Sequence, residues 1–463
     1  MISSAPPVPG SSYFTARSRP TFRRPRSRRT ARCPRRELAA GPGPFIRMSA
    51  KGPTLMTSQI LHSGVLDIAR TGTDRNGSAR KGPDRSGTDP DSTGRSAPNG
   101  HLRVAGCLPG PADPIVPAAL IRRFGLRTGD FVEGTCGEKP RVLTDVARVN
   151  GRAPQAPGAR PKFADLTPLH PRERLRLELP GGPDSVGGTR GSVATRVVDL
   201  VAPVGKGQRG LIVAPPRTGK TVLLQQLAAA VAENHPECHL MVVLLDERPE
   251  EVTEMRRSVR GEVLASTFDK APKTHIALAE LAVERAKRLV EEGRDVVMLF
   301  DSLTRLCRAY NNSAASGGRT LSGGVDAGSV QGPKRLFGAA RLAEEGGSLT
   351  ILATALVETG SRADDYYFEE LKSTGNMELR LNRALADRRV FPAVDVKPSG
   401  TRREELLVPA AELAAVRGLR RALDRREGPD GVEALLGHLR KTPSNAVFLR
   451  QVRETVPSAA VAA

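Results

Sequence analysis

Three short runs of this 463-residue chain hold the residue types that polyphosphate chemistry requires. Gly210 to Ala214 is an apolar run, Pro215 to Thr221 breaks it with a Gly-Lys-Thr turn, and Val222 to Ala230 is helix-forming. The order is strand, loop, helix. In that order the loop's backbone N–H groups (Arg217, Thr218, Gly219) and the positive end of the helix cradle a polyphosphate. Lys220 then reaches the terminal phosphates and Thr221 helps hold Mg²⁺. Ala214 stands where the Gly-x-x-x-x-Gly-Lys-Ser/Thr pattern has its first Gly. Two further apolar runs, Leu240 to Leu245 and Val296 to Phe300, end directly in Asp246-Glu247-Arg248 and in Asp301. Ligands of open α/β sheets bind outside the carboxyl ends of strands. Asp301 is therefore assigned to the Mg²⁺ of a bound nucleotide, and Glu247 to orienting or deprotonating the attacking water. Capping of the following helix is the plainer role for Asp246 and Glu247. Charge developing on the transferred phosphoryl group asks for an arginine, often from a neighbouring subunit, and Arg389 and Arg402 are candidates.

These residues need a buried parallel sheet to carry them. From about Thr195, near-continuous apolar runs, the last at Leu349 to Ala353, alternate with helical patterns such as His275 to Glu292. That is the signature of strands covered on both faces in a βαβ domain. The expected layout is a disordered basic tail over 1–56 and a small β-barrel over 57–150 with a low-complexity insertion at 71–99. A linker over 151–194, with Phe163 to Leu169 as a run that could dock on a neighbouring domain, an α/β ATPase domain over 195–430 and a helical tail over 431–463 follow. The net charge is +21, and residues 1–47 hold eleven Arg and no Lys against Glu37 alone, so about half the excess sits in the tail. A transit peptide, a nucleic-acid-contacting arm or a start at Met48 or Met56 each account for that leader. Five cysteines without paired spacing read as a reduced, cytoplasmic thiol set, and no apolar run is long enough to span a membrane.

Two glycine-rich segments, Arg319 to Asp326 and Glu358 to Arg362, follow the second and third buried strands. They read as surface loops or as pore loops of a ring whose backbone approaches a phosphodiester chain. Taken with Gly205 to Thr221, Leu245 to Met255, Asp301-Ser-Leu-Thr-Arg305, Thr374 to Leu379, Arg389 to Ala393 and Ser399 to Leu406, they make the chain from Gly64 to about residue 450 resemble the bacterial transcription termination factor Rho family. The resemblance implies a RecA-like ATPase domain behind an oligonucleotide-binding, cold-shock-like barrel. It implies a homohexameric, RNA-dependent ATPase and 5′-to-3′ RNA–DNA helicase that acts on single-stranded RNA with RNA polymerase and elongation factors. ATP and Mg²⁺ are the implied cofactors. It extends the nucleotide site to Gly205, Lys206, Gly207, Gln208, Arg209, Gly210, Val222, Arg248 and Phe391, the last packed on adenine, and makes Arg402 the better arginine finger. RNA contacts fall on Thr320, Leu321, Ser322, Gly323, Gly324 and Arg362 in the channel and on Gly100, His101, Leu102 and Arg103 in the barrel.

Departures from the family pattern concentrate in the barrel. Asn99-Gly-His-Leu-Arg103 replaces a Gly-Phe-Gly-Phe-Leu-Arg-like segment, and Ile115 takes a further aromatic position. Stacking a base on an aromatic ring contributes about 1–3 kcal/mol, so the expectation is weakened primary RNA binding, partly offset by Arg103, Arg122, Arg123 and Arg127. Arg217 and Arg362 stand where Lys is common, and Cys307 and Ser373 at positions usually small. Two alternatives stay open from these residues: a paralogue that binds RNA or co-assembles with weakened loading, and a rotary ATP synthase-type subunit sharing the same core.

Overall fold

The computed structural model describes residues 60–68, 98–137, 141–179, 193–314, 320–321, 323–425 and 429–455, all within one compact unit. The basic tail 1–56, nearly all of the 71–99 insertion, Ser322 and the end of the helical tail lie outside the described residues.

Five antiparallel strands make the barrel: Ile60–Ile68, Gly100–Arg103, Ile115–Val116, Phe131–Cys136 and Leu143–Val149. The first strand is central, pairing with the second (Ile68 opposite Gly100) and with the fourth (Ile60 opposite Cys136). A parallel bridge between Ile115 and Val142 joins the two outer strands. Alternation along the strands sends Leu66, Leu102, Val116, Val132, Leu143 and Val146 inward, and Leu120 of the helix Ala118–Arg123 joins them.

The second domain is a twisted sheet running in the order Glu262–Thr267, His239–Glu247, Val296–Asp301, Ser348–Leu356, Arg209–Ala214, Met377–Leu381 and Val394–Thr401. The first six are mutually parallel and the last is antiparallel. Every residue of Val296–Asp301 is buried, which explains why these strands read as unbroken apolar runs. Helices cover both faces, so the expected β-barrel followed by an α/β domain is what forms.

The stretch 151–194 was expected as a linker, but its described part, 151–179, is woven into the motor. Pro168–Leu169 pairs with Arg341–Ala343, Arg174–Leu175 pairs with Val204–Gly205, and Phe163 is buried with the Arg341 guanidinium 4.8 Å from its ring centroid. At the other end, the helices Ala410–Asp424, Pro429–Arg440 and Asn445–Thr455 share the motor core. Buried Arg196 locks them, donating to the carbonyls of Leu439 (2.7 Å) and Thr442 (2.6 Å) and to Asn445 Oδ1 (3.0 Å).

The barrel docks on the helix Pro272–Glu291. Gly129, at φ +91°, lies so close that a Cβ there would come within 2.4 Å of the Glu284 carbonyl carbon. Around this contact Arg285 reaches over Phe131 and donates to Asn150 Oδ1 (3.2 Å). Buried Glu291 takes Arg127 (2.8 Å) from the barrel and the Phe163 N–H (2.7 Å) from the connecting segment.

Candidate active site and nucleic-acid interface

The strand Arg209–Ala214 sits in the middle of the sheet and delivers its carboxyl end to the loop Pro215–Gly219. Two backbone features shape the loop into a cradle. Gly219 (φ +85°) and Arg217 (φ +66°) both take the left-handed conformation, and the buried Thr218 hydroxyl donates to the Pro215 carbonyl (2.8 Å). The helix Lys220–Asn234 starts at once, with the Gly219 position unfilled by any capping side chain. Its free N–H groups and dipole face the loop, the arrangement that binds phosphate.

Lys220 lies across the mouths of the neighbouring strands. Its ammonium is 2.6 Å from Asp301 Oδ1 and 3.2 Å from Glu247 Oε1, and both carboxylates are nearly inaccessible. Strand register does this: Leu244 is opposite Asp301, so Glu247 overhangs it by a short bulge that puts Asp246 at φ +56°. Three residues outside the expected set complete the cluster. Thr354 donates to Asp301 Oδ1 (2.7 Å), Arg305 pairs with Glu247 Oε2 (3.2 Å) and also donates to the Asp246 carbonyl, and Glu251 lies near enough to feel Glu247. Burial, then the Glu247 charge, raise the Glu251 carboxyl above the usual range. Arg305 stood within a quoted motif, but Thr354 is one more small residue in an apolar strand and carried no signal.

The base end is built from different elements. The Phe391 ring is exposed and lies beside Gly219, about one van der Waals contact from where a Cβ would sit, and Val222, on the first helical turn after Gly219, is exposed as well. Arg389 (φ +61°) is exposed two residues before Phe391, and Arg248 projects into solvent, 3.9 Å from Glu251. Arg402 is exposed with its N–H on the Asn376 carbonyl (2.8 Å). Its charge is felt by Arg209, placing it near the amino end of the strand that Lys220 follows. It therefore lies at the opposite end of that strand from this chain's own phosphate loop.

Gly205 to Gly210 are corrected: they lie at the amino end of that strand, about 17 Å from the loop at the usual strand rise. Lys206 is buried among Glu173 (2.6 Å), Asp295 (2.9 Å) and Glu237 (3.2 Å). Gly207 allows the Leu342 backbone to pass (a Cβ would be 2.3 Å from its nitrogen), and Gln208 donates to Asn376 Oδ1 (2.6 Å). Arg209 donates to the Thr374 and Ala340 carbonyls, and Gly210 is packed under Leu352 and Met377.

The two glycine-rich segments meet. Thr320–Leu321 pairs with Val325–Asp326 around Gly323 (φ +81°) and Gly324 (φ +76°), and a Cβ on Gly323 would sit 3.2 Å from the Ala363 nitrogen. Arg362 is exposed at the start of the helix Arg362–Lys372. One helix, Leu303–Asn312, links both loops to the cluster above: it begins after Asp301, Arg308 pairs with buried Asp364, and the Asn311 side chain bonds Gly324 O (3.3 Å) and Asp326 N (2.7 Å).

The barrel's expected contacts are corrected in part. Leu102 is core, Gly100 is buried with no room for a side chain, and Arg103 is held by Asp67 and by Asp113 (2.9 Å). Arg127 is spent on Glu291. His101, partly exposed and opposite Ile115, and exposed Arg122 and Arg123 remain available.

A phosphate loop at the end of a central parallel strand, with a lysine between two buried carboxylates on adjacent strands, defines a nucleotide-hydrolysing α/β motor, here fused to an oligonucleotide-binding barrel. Residues 194–401 match the ATP synthase alpha/beta family nucleotide-binding domain, and residues 96–155 match the Rho termination factor RNA-binding domain. The chain is 72% identical over 359 residues to the transcription termination factor Rho of Streptomyces coelicolor (78% of this chain, 84% of that protein), and 61% identical to that of Streptosporangium roseum (77% and 90%). The chain belongs to the Rho family. Its fold is shared with an ATPase of a bacterial type III secretion system (TM-score 0.53, 21% identity, 68% of this chain and 95% of that one) and with EscN from enteropathogenic E. coli (TM-score 0.51, 20% identity, 69% and 79%). It is an ATP-hydrolysing enzyme with an RNA-binding domain, and the barrel match with these relatives decides against a rotary ATP synthase-type subunit.

Proposed function

We propose that this protein terminates transcription as a homohexameric, RNA-dependent ATPase and 5′-to-3′ RNA–DNA helicase, working in the cytoplasm on nascent single-stranded RNA with RNA polymerase and its elongation factors. The observation that carries the motor chemistry is Lys220 bridging Glu247 and Asp301. Two buried carboxylates at this distance are stable only with positive charge between them. The same oxygens suit Mg²⁺, with Thr221 and Asp301 as its holders, and a bound Mg²⁺ supplies neutralisation of the β- and γ-phosphate charge. In the nucleotide-bound state Lys220 turns to the phosphates, Glu247 is freed to orient the attacking water, and Arg305 fixes the direction of that carboxylate. Phe391 and Val222 hold the base. Arg402, at the far end of the strand from its own loop, stabilises the transition state in the adjacent subunit, with Arg389 and Arg248 at the same boundary.

Channel RNA lies on Thr320 to Gly324 and on Arg362, and the helix Leu303–Asn312 carries its occupancy to Arg305. Helices able to cross a membrane are absent among the described residues. The deciding experiment is ATP turnover by the full chain with and without RNA, alongside Glu247→Gln. RNA should stimulate the parent, and the variant should bind ATP while losing at least about 100-fold in turnover. A folded hexamer without RNA stimulation refutes the reading.

The barrel supports a second statement, that primary loading is weaker than in relatives with aromatic platforms, as in a paralogue that co-assembles. Among its expected contacts only His101 offers a ring, and Arg103 is already neutralised by two carboxylates.

A further inference from the structure

The three C-terminal helices carry a charge pattern that the motor does not use. Their described residues, 410–455, hold eight Lys and Arg against five Asp and Glu. Four of the five carboxylates are already taken by cations from elsewhere in the motor. Glu412 holds Arg174 (2.7 Å), Asp424 holds Lys397 (3.4 Å), and Asp430 and Glu433 both hold Arg388 (3.2 and 2.8 Å). The helices' own cations are left over. Arg420 is turned inward onto the Val396 carbonyl, Arg440 donates to the Phe391 carbonyl, and Arg417 shares the field of Glu405. That leaves Arg421, Arg425, Lys441, Arg450 and Arg453, all exposed and none in an ion pair among the described residues.

Three of these lie on two helices packed against each other, and Arg425 caps the end of one of them. Ala410–Asp424 buries Ala415, Val416 and Leu419, and Asn445–Thr455 buries Phe448, Leu449 and Val452, in one core. The inward faces are fixed, so the opposite faces must be outward. Arg421 and Arg425 are four residues apart and Arg450 and Arg453 three, about 4.5–6 Å along each axis. A single surface arginine needs no explanation. A ridge with four of its five described acids drawn off by other residues, leaving Glu454 beside four arginines, on a chain that binds RNA through a barrel short of rings, fits a polyanion with closely repeated charge.

We propose that Arg421, Arg425, Arg450 and Arg453 form an auxiliary contact for the phosphate backbone of single-stranded RNA, outside the barrel and the channel loops. Guanidinium groups pair with phosphate oxygens in a bidentate manner without reading sequence. The contact compensates by charge for stacking the barrel lacks, and it rests on the reading of the chain as an RNA-stimulated ATPase.

The test uses the full chain, with all four arginines changed to Glu in one variant and to Lys in another, and poly(U) and poly(A) as probes over about 50–300 mM salt. Each phosphate contact on a single strand contributes about 0.7 to the slope of log affinity against log salt. The Glu variant is expected to flatten that slope by about 3 and to lose at least tenfold in affinity at low salt, equally for both polymers. The Lys variant keeps both, and ATPase at saturating RNA stays within about twofold of the parent. An unchanged slope overturns the proposal. So does a flattened slope that appears only as the Glu variant dissociates in sedimentation, because the ridge then serves contact between copies of this chain. Absence of RNA stimulation in the unmodified chain fails the parent reading instead, a separate result.

Discussion

The nucleotide end of the motor and the RNA face of the barrel are held together by the same kinds of interaction, used to opposite effect. At the nucleotide end, the two carboxylates are neutralised by Arg305 and by a lysine that a ligand can draw away: Lys220, Glu247 and Asp301 form a cluster poised to exchange partners. In the barrel, the corresponding charge is closed off. Arg103 sits between Asp67 and Asp113, a pairing within the domain that no ligand need complete. The lesson is that a charged side chain in a binding domain is available only when its counter-ion is mobile or absent.

The largest expected effect tests the poised cluster. Lys220→Ala should lower RNA-stimulated turnover by about 1,000-fold or more in a steady-state ATPase assay, since it removes the charge that both the buried carboxylates and the phosphates require. If turnover falls less than tenfold, the cluster is only structural. Next comes the helix Leu303–Asn312. Tyr310 donates to Glu280 (2.6 Å) and fills the space over Gly332, where a Cβ would be 2.4 Å from the ring. Gly332→Ala should therefore destabilise the motor by about 1–3 kcal/mol through overpacking, read as a lower midpoint in urea.

On the barrel side the change should be a gain. His101→Phe restores a stacking surface opposite Ile115 and should tighten oligonucleotide binding by about 1–3 kcal/mol, measured by fluorescence anisotropy. Asp113→Asn, which takes one of two carboxylates from Arg103, should give a smaller gain, removed by salt. No gain in either variant would mean that this face does not carry the RNA.

The smallest effect is one of pH. Burial holds the imidazole of His275, hydrogen-bonded to Ser266 (2.8 Å), below its ordinary value, with Arg305 adding to the depression and Asp246 and Asp269 opposing it. A lowered folded value means that His275 favours the fold while neutral, above pH 6.5, and that this is lost as pH falls. Thermal melts from pH 7.5 to 5 should show a modest decline that His275→Gln flattens. An unaltered profile in that variant would place the acid sensitivity elsewhere.

How far these features could be read in advance depended on distance along the chain. Lys220 is legible because loop and helix are contiguous, and Glu247 and Asp301 because each ends its own apolar strand. Thr354 enters the cluster only through strand order and register, whereas Glu251 follows Glu247 by four residues, in the first turn of the next helix. Gly205 to Gly210 went wrong for a simple geometric cause: in one dimension they adjoin the phosphate loop, but an extended strand separates them from it. Arg103 failed for the complementary reason, since Asp67 is distant in sequence and adjacent in the sheet. In the segment 151–179 only the docking run Phe163 to Leu169 stood out, because its pairing strands are only two residues long.

The pairing of Ile68 with Gly100 has one more outcome. Thirty-one residues, 69–99, join two positions that face each other across a ladder. Closing such a span depends only logarithmically on its length, so doubling it changes stability by about 0.6 kcal/mol. The junction between these two strands is in that sense a grafting port. Peptides, reporters or whole small modules of suitable termini can be exchanged there with little penalty to the barrel, and the reach of the RNA-binding domain can diversify without disturbing the machinery that burns ATP.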